Sequence, residues 1–98
     1  MTIYKERNEG ALTVSLDGRL DTSTAPALEK TLSGSLDGVS ELVLDFAGLE
    51  YISSAGLRVL LSAQKTMNNQ GGMKLINVNE IIMEILEVTG FSEILTIE

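Results

Sequence analysis

The segment Glu41–Phe46, with Leu42, Val43, Leu44 and Phe46 in six residues, is the strongest single constraint on how this chain folds. So apolar a strand predicts burial on both faces, as in a parallel sheet covered by helices. Parallel neighbours need crossover connections, so helical segments should flank it in the sequence. Upstream, Ala25, Leu28 and Leu32 recur at helical spacing behind the hydroxyl-rich Thr22-Ser23-Thr24 and a first-turn Pro26. That pattern predicts a helix running to about Ser33–Leu36, with Gly34 and Gly38 at its exit. Downstream, Leu57, Leu60, Leu61 and Ala63 give a wide apolar face to a helix expected from about Ala55 to Asn69, ended by Gln70-Gly71-Gly72.

The rest of the chain extends the same alternation. Thr2–Arg7 and Ala11–Leu16 alternate with period two around the turn Asn8-Glu9-Gly10 and predict an antiparallel hairpin. Asp17–Asp21 breaks that alternation, and Ala47–Ile52 reads as a connection. Met73–Val78 is a further apolar strand. Asn79 caps a third helix from Glu80 to about Thr89, Gly90 ends it, and Phe91 is placed to pack back onto it. Ile94–Ile97 closes the series as a short strand. The predicted order is β-β-α-β-α-β-α-β: an α/β domain, with a mixed, mainly parallel sheet and packed helices, spanning residues 1–98 as one unit.

Composition removes several kinds of function. The 98 residues include no Cys, so disulfides, thiolate metal sites and cysteine nucleophiles are absent. They include no His, the usual general base and metal ligand. Fourteen acidic residues against seven scattered basic ones give a net charge of −7, which opposes binding to nucleic acid or to an anionic membrane. No apolar run reaches the ~20 residues of a spanning helix, and the N-terminus lacks a signal-peptide core. A soluble cytoplasmic monomer with no cofactor or metal is the expectation.

Two segments follow a strand and precede a helix: Gly18–Ala25 and Tyr51–Leu57. Ligands gather at the carboxyl ends of strands in α/β sheets, so the two loops are expected to share one edge. Ser54 stands at or beside the start of the second helix, where free N–H groups and the helix dipole favour a hydroxyl cap and favour a phosphate more strongly. Arg58, four residues on, leans back toward such a phosphate, and Gly56 leaves backbone accessible. The plain alternative makes Ser53 and Ser54 ordinary caps and Gly56 a packing residue. Asp21 either holds free N–H groups near its own helix or, if the loops converge, orients the Ser54 hydroxyl or helps hold a metal–nucleotide. No Walker loop, dinucleotide fingerprint or nucleophile elbow is present. Glu80, Glu84 and Glu87 line one side of the third helix as a solvated face, or less expectedly a partner-facing one.

These segments resemble a known family. Gly18-Arg19-Leu20-Asp21-Thr22-Ser23-Thr24-Ala25-Pro26 is similar to the G-x-L-D-x-x-[ST]-A signature of STAS domains of the bacterial anti-sigma factor antagonist type. Leu42–Ala47 resembles the family's central strand, and Tyr51–Leu57 its x-x-D-S-[ST]-G-L motif. The chain departs from that motif at Ser53, where the family has Asp, and at Ala55, where it has Ser or Thr. The resemblance implies an antagonist that binds an anti-sigma factor serine/threonine kinase, releases a sigma factor, and is switched off by phosphorylation. The motif places the phosphorylated serine at Ser54, with Ser53 as the lesser alternative. The resemblance also implies a phosphoserine phosphatase that reverses the switch. The implied partner surface comprises Asp21, Thr22, Ser23, Ser53, Ser54, Ala55, Gly56 and Arg58.

Two other functions stand beside this one. A STAS interaction module regulating a transporter, a lipid-transport complex or a stress-signalling assembly would keep the fold and change the partner. A hydrolase using Ser54 as nucleophile would need a base, which the chain lacks, so the expectation is a regulator and not an enzyme.

Overall fold

A computed structural model describes all 98 residues, Met1–Glu98. Four strands, β1 (Thr2–Asn8), β2 (Ala11–Leu20), β3 (Glu41–Ile52) and β4 (Gly72–Ile76), form one sheet in the order β1-β2-β3-β4. β1 pairs with β2 antiparallel, while β2–β3 and β3–β4 are parallel. The crossovers carry helices α1 (Ala25–Ser33) and α2 (Ser54–Asn68), and α3 (Glu80–Val88) follows β4. A single 3-10 turn, Phe91–Glu93, packs on α3.

The α/β class and the mixed, mainly parallel sheet agree with the sequence pattern, but three details differ. The first is the central strand. Leu42, Leu44 and Phe46 are buried, whereas Val43 and Asp45 are half-buried. β3 is therefore covered on one face only. Leu12, Val14 and Leu16 of β2 and Met73 and Leu75 of β4 turn the same way, and all join one apolar cluster with the helices. Val43 supplies an apolar residue to the open face without helical cover.

The second difference is length. β2 runs to Leu20 and β3 to Ile52, through segments that read as breaks. Their register shifts between Ser15 and Asp17 and again between Gly18 and Arg19, so the twelve residues of β3 run alongside only ten of β2. Each irregularity resets which side chains face the core. That is why the buried residues Phe46, Leu49 and Ile52 recur every third position. Gly18 adopts φ +110°, a backbone region open chiefly to glycine.

The third is the C-terminal segment. Ile94–Ile97 forms no regular strand; only Leu75 and Ile97 pair, in parallel. Leu75 donates to Thr96 and Glu98 donates back to Leu75 at 2.9 Å each, so the segment lies beside β4 at the sheet edge. Leu95 is its buried anchor. The caps of α3 match expectation. Asn79 Oδ1 accepts from Ile82 N at 2.9 Å, Gly90 takes φ +81°, and Phe91 packs against the core.

Candidate functional site

The long β2 and β3 bring the two motif loops together. Arg19 pairs with Tyr51 and Leu20 with Ile52, and Ser53 N donates to Leu20 O at 2.9 Å. The starts of α1 and α2 thus leave from adjacent parallel strand ends, as the sequence suggested.

The first loop is organised around Asp21. Its Oδ1 accepts from the Ser23 hydroxyl at 2.7 Å, from Ser23 N at 3.0 Å and from Thr24 N at 3.2 Å. The Ser23 hydroxyl holds the Asp21 carboxyl below its ordinary value of 3.8; partial burial opposes this, and the Ser23 and Thr24 N–H groups reinforce it. Thr24 locks the turn. Its hydroxyl donates to Arg19 O at 2.7 Å and accepts from Asp21 N at 2.8 Å. Asp21 therefore fastens its own loop. No hydrogen bond joins it to Ser54, and it belongs to no cluster of three or more metal-ligating side chains.

Arg19 and Tyr51 add a feature that motif reading missed. The guanidinium lies 4.5 Å from the Tyr51 ring centroid, and its Nε is 3.9 Å from Asp21 Oδ2. This places a cation between the two loops, stacked on an aromatic face. The pair is invisible until the register of β2 against β3 is known.

The second loop divides its two serines. Ser53 is the N-cap residue of α2, extended at φ −101°, ψ 176°, but its hydroxyl makes no cap bond. That hydroxyl is sealed from solvent and has no hydrogen-bond partner. Ser54 is the first helical residue and is exposed. The expectation of ordinary serine caps is thus corrected, because neither hydroxyl caps α2. The first turn of α2 holds no acidic residue. The N–H groups of Ser54, Ala55 and Gly56 lack backbone acceptors, and the first helical bond is Leu57 N to Ser53 O at 3.0 Å.

Gly56 is buried, contrary to the expectation of accessible backbone. A Cβ there would lie 2.6 Å from Leu20 Cγ and 2.9 Å from Ile52 Cγ1. Its lack of a side chain lets α2 approach the strand ends. Ala55 packs partly against the core. Thr22, Ser23, Ser54 and Arg58 remain exposed, and Asp21 is half-buried. Arg58 makes no ion pair and lines, with Thr22, Ala25, Pro26, Ala55 and Ser62, a groove of about 390 Å³ between α1 and α2. No helix is long and apolar enough to cross a membrane.

This arrangement can present one hydroxyl at a helix start that favours added negative charge. The chain has no histidine to activate that hydroxyl, and no carboxylate accepts a hydrogen bond from it. The model of the STAS domain family matches residues 2–98. BtrV of Bordetella bronchiseptica, described as a candidate anti-sigma factor antagonist, is 35% identical over 96 residues, covering 96% of this chain and 83% of that protein. The crystal structure of an anti-sigma factor antagonist from Mycobacterium paratuberculosis superposes with a TM-score of 0.88 at 26% identity, covering 98% of this chain and 83% of that one. SpoIIAA, a Bacillus cell fate determinant solved in a phosphorylated form, shares the fold at TM-score 0.76 and 16% identity, over 99% of this chain and 91% of its own. With its fold, its paired strand-end loops and a family match over nearly every residue, the chain belongs to the STAS domain family.

Proposed function

We propose that the chain is an anti-sigma factor antagonist whose unphosphorylated form binds an anti-sigma factor serine kinase and frees a sigma factor. The exposed Ser54 hydroxyl at the start of α2, beside a sealed Ser53 hydroxyl, is the observation that carries this reading. Relatives bearing the antagonist name support the partner class. The kinase supplies base and nucleotide, and Ser54 attacks the terminal phosphorus of ATP, giving phosphoserine and ADP. The new group brings about −1.5 to −2 charges into the docking surface. A charge buried at an interface without a partner costs several kcal/mol, and each ~1.4 kcal/mol is tenfold in affinity. The kinase then lets go, and a phosphoserine phosphatase restores binding. Thr22, Ser23 and Arg58 form the exposed contact set, while Asp21, Ala55 and Gly56 hold it in shape. The chain acts as a cytoplasmic monomer and catalyses nothing itself.

The test is phosphate transfer from radiolabelled ATP by an anti-sigma factor kinase to wild type, Ser54→Ala and Ser53→Ala. The expected result is loss of label in Ser54→Ala alone. Undiminished labelling of Ser54→Ala would overturn the assignment.

A further inference from the structure

The last twenty residues carry a charge asymmetry that the Ser54 site does not use. Glu80, Glu84, Glu87, Glu93 and Glu98 fall there with no basic residue, while the other nine acids share the preceding chain with all seven basic ones. Glu98 pairs with Lys74 at 3.6 Å; the other four are exposed and make no ion pair. Beside them lies exposed apolar surface. Ile81 is 64% and Val88 81% accessible, and Ile85, half-buried, joins them in a shallow groove with Glu84 and Thr89.

The two stripes are ordered around α3. Ile81, Ile85 and Val88 are spaced i, i+4, i+7 and share one face. Glu80, Glu84 and Glu87 repeat that spacing one residue earlier, about 100° round the helix. Ile82 and Leu86 form a third stripe, fully buried in the core. The apolar face thus lies between a buried stripe and an acidic edge. An apolar stripe rimmed by one sign of charge is the arrangement a partner surface can read.

We propose that this face docks an amphipathic helix of a partner protein, with apolar side chains on the contact stripe and Lys or Arg along the edge that meets Glu80, Glu84 and Glu87. Charge selects that occupant. A second copy would set acidic edge against acidic edge with no basic residue on either α3, and an anionic lipid surface would be repelled in the same way. A helix with basic flanks meets both stripes at once. This inference is independent of Ser54.

The test is NMR titration of the isotopically labelled full chain with a synthetic helical peptide bearing leucines at i, i+4 and i+7 and lysines beside them. A second peptide carries glutamates in place of the lysines. The expected result is amide shifts confined to α3, binding at least about tenfold weaker for the glutamate peptide and for Ile81→Ser/Val88→Ser, and weakening with added salt. Ile81 and Val88 lie outside the core, and a folded spectrum of the double variant checks this. Equal affinity for both peptides, shifts outside α3, or no binding would overturn the proposal. So would a concentration-dependent dimer abolished by Val88→Ser, which would make a second copy the occupant.

Discussion

Gly56→Ala isolates the contact that holds the two loops together. In most helices this change is favourable, because glycine is about 0.8–1 kcal/mol worse than alanine in a helix interior. Here the added methyl group has nowhere to go. It would stand 2.6 Å from Leu20 Cγ, 2.9 Å from Ile52 Cγ1 and 3.0 Å from Leu20 Cδ2. Leu20 and Ile52 are 0% and 1% exposed, so neither can swing into solvent. Overpacking of a closed core costs about 1–3 kcal/mol, and two clashes and a third tight contact on two buried side chains place this case toward the upper end. Subtracting the propensity gain leaves a net loss of about 1–2 kcal/mol. For a domain of this size that lowers the melting temperature by about 5–15 °C. Thermal unfolding by circular dichroism reads it, with Gly72→Ala as the control because its Cβ direction is open. A melting temperature for Gly56→Ala equal to or above wild type would refute the reasoning: α2 would then be free to move outward, and the loops would not be fixed by this contact.

Three further outcomes follow from the site. Asp21 has a lowered pKa in the folded chain, so the stability it adds is present above its ordinary value of 3.8 and is lost as pH falls through the folded value. Urea midpoints measured between pH 5 and pH 2 should therefore fall less steeply for Asp21→Asn than for wild type, and parallel curves would contradict this. Ser54→Asp puts an acid into a first turn that has none, which should stabilise the fold by about 0.3–1 kcal/mol. A rise in urea midpoint, together with loss of kinase binding, would show that charge and not unfolding breaks the complex. Ser53→Ala removes a sealed hydroxyl without a partner, so it should be neutral or stabilising, against the usual loss of about 0.5–2 kcal/mol for a serine N-cap. A loss above about 1 kcal/mol would mean that the hydroxyl is satisfied in solution.

How far the sequence carried the fold depends on where periodicity survives. Leu12, Val14 and Leu16 alternate cleanly, and β2 was legible there. Beyond Leu16 the bulges shift the register, and Asp17–Leu20 and Ala47–Ile52 look like loops although both are paired strand. A bulge is a two-strand event and leaves no period in either strand alone. β3 misled in another way, because Val43 on the open face mimics two-sided burial. The motif loops were legible as chemistry, since hydroxyls before a helix have few other uses. Which hydroxyl is sealed was not legible. Ser53 and Ser54 are identical in type and adjacent, and only the extended backbone at Ser53 turns one inward and the other out. The Arg19–Tyr51 stack was hidden for the same reason as the bulges: it needs the cross-strand register.

On the proposed reading, the division of labour between the two serines lets a chain without histidine or cysteine take part in phosphoryl transfer. A hydroxyl near a helix start is usually consumed as a cap. At α2 the N-cap hydroxyl points away, leaving the N–H groups of Ser54, Ala55 and Gly56 without acceptors. The exposed neighbour is then neither tied down nor activated. On the proposed reading it is an acceptor for another protein's catalysis, at a place where added phosphate would meet free N–H groups and the positive end of the helix dipole. Asp21 is a poor substitute for the missing base, because no hydrogen bond joins it to Ser54 and the bonds that Ser23 and Thr24 make to its Oδ1 lower its affinity for a proton. The same hydrogen bonds give it a different use. They hold Thr22 and Ser23 in an exposed turn at the strand end adjacent to the one that carries Ser54, which on the proposed reading gives a partner's active site a fixed polar surface to meet.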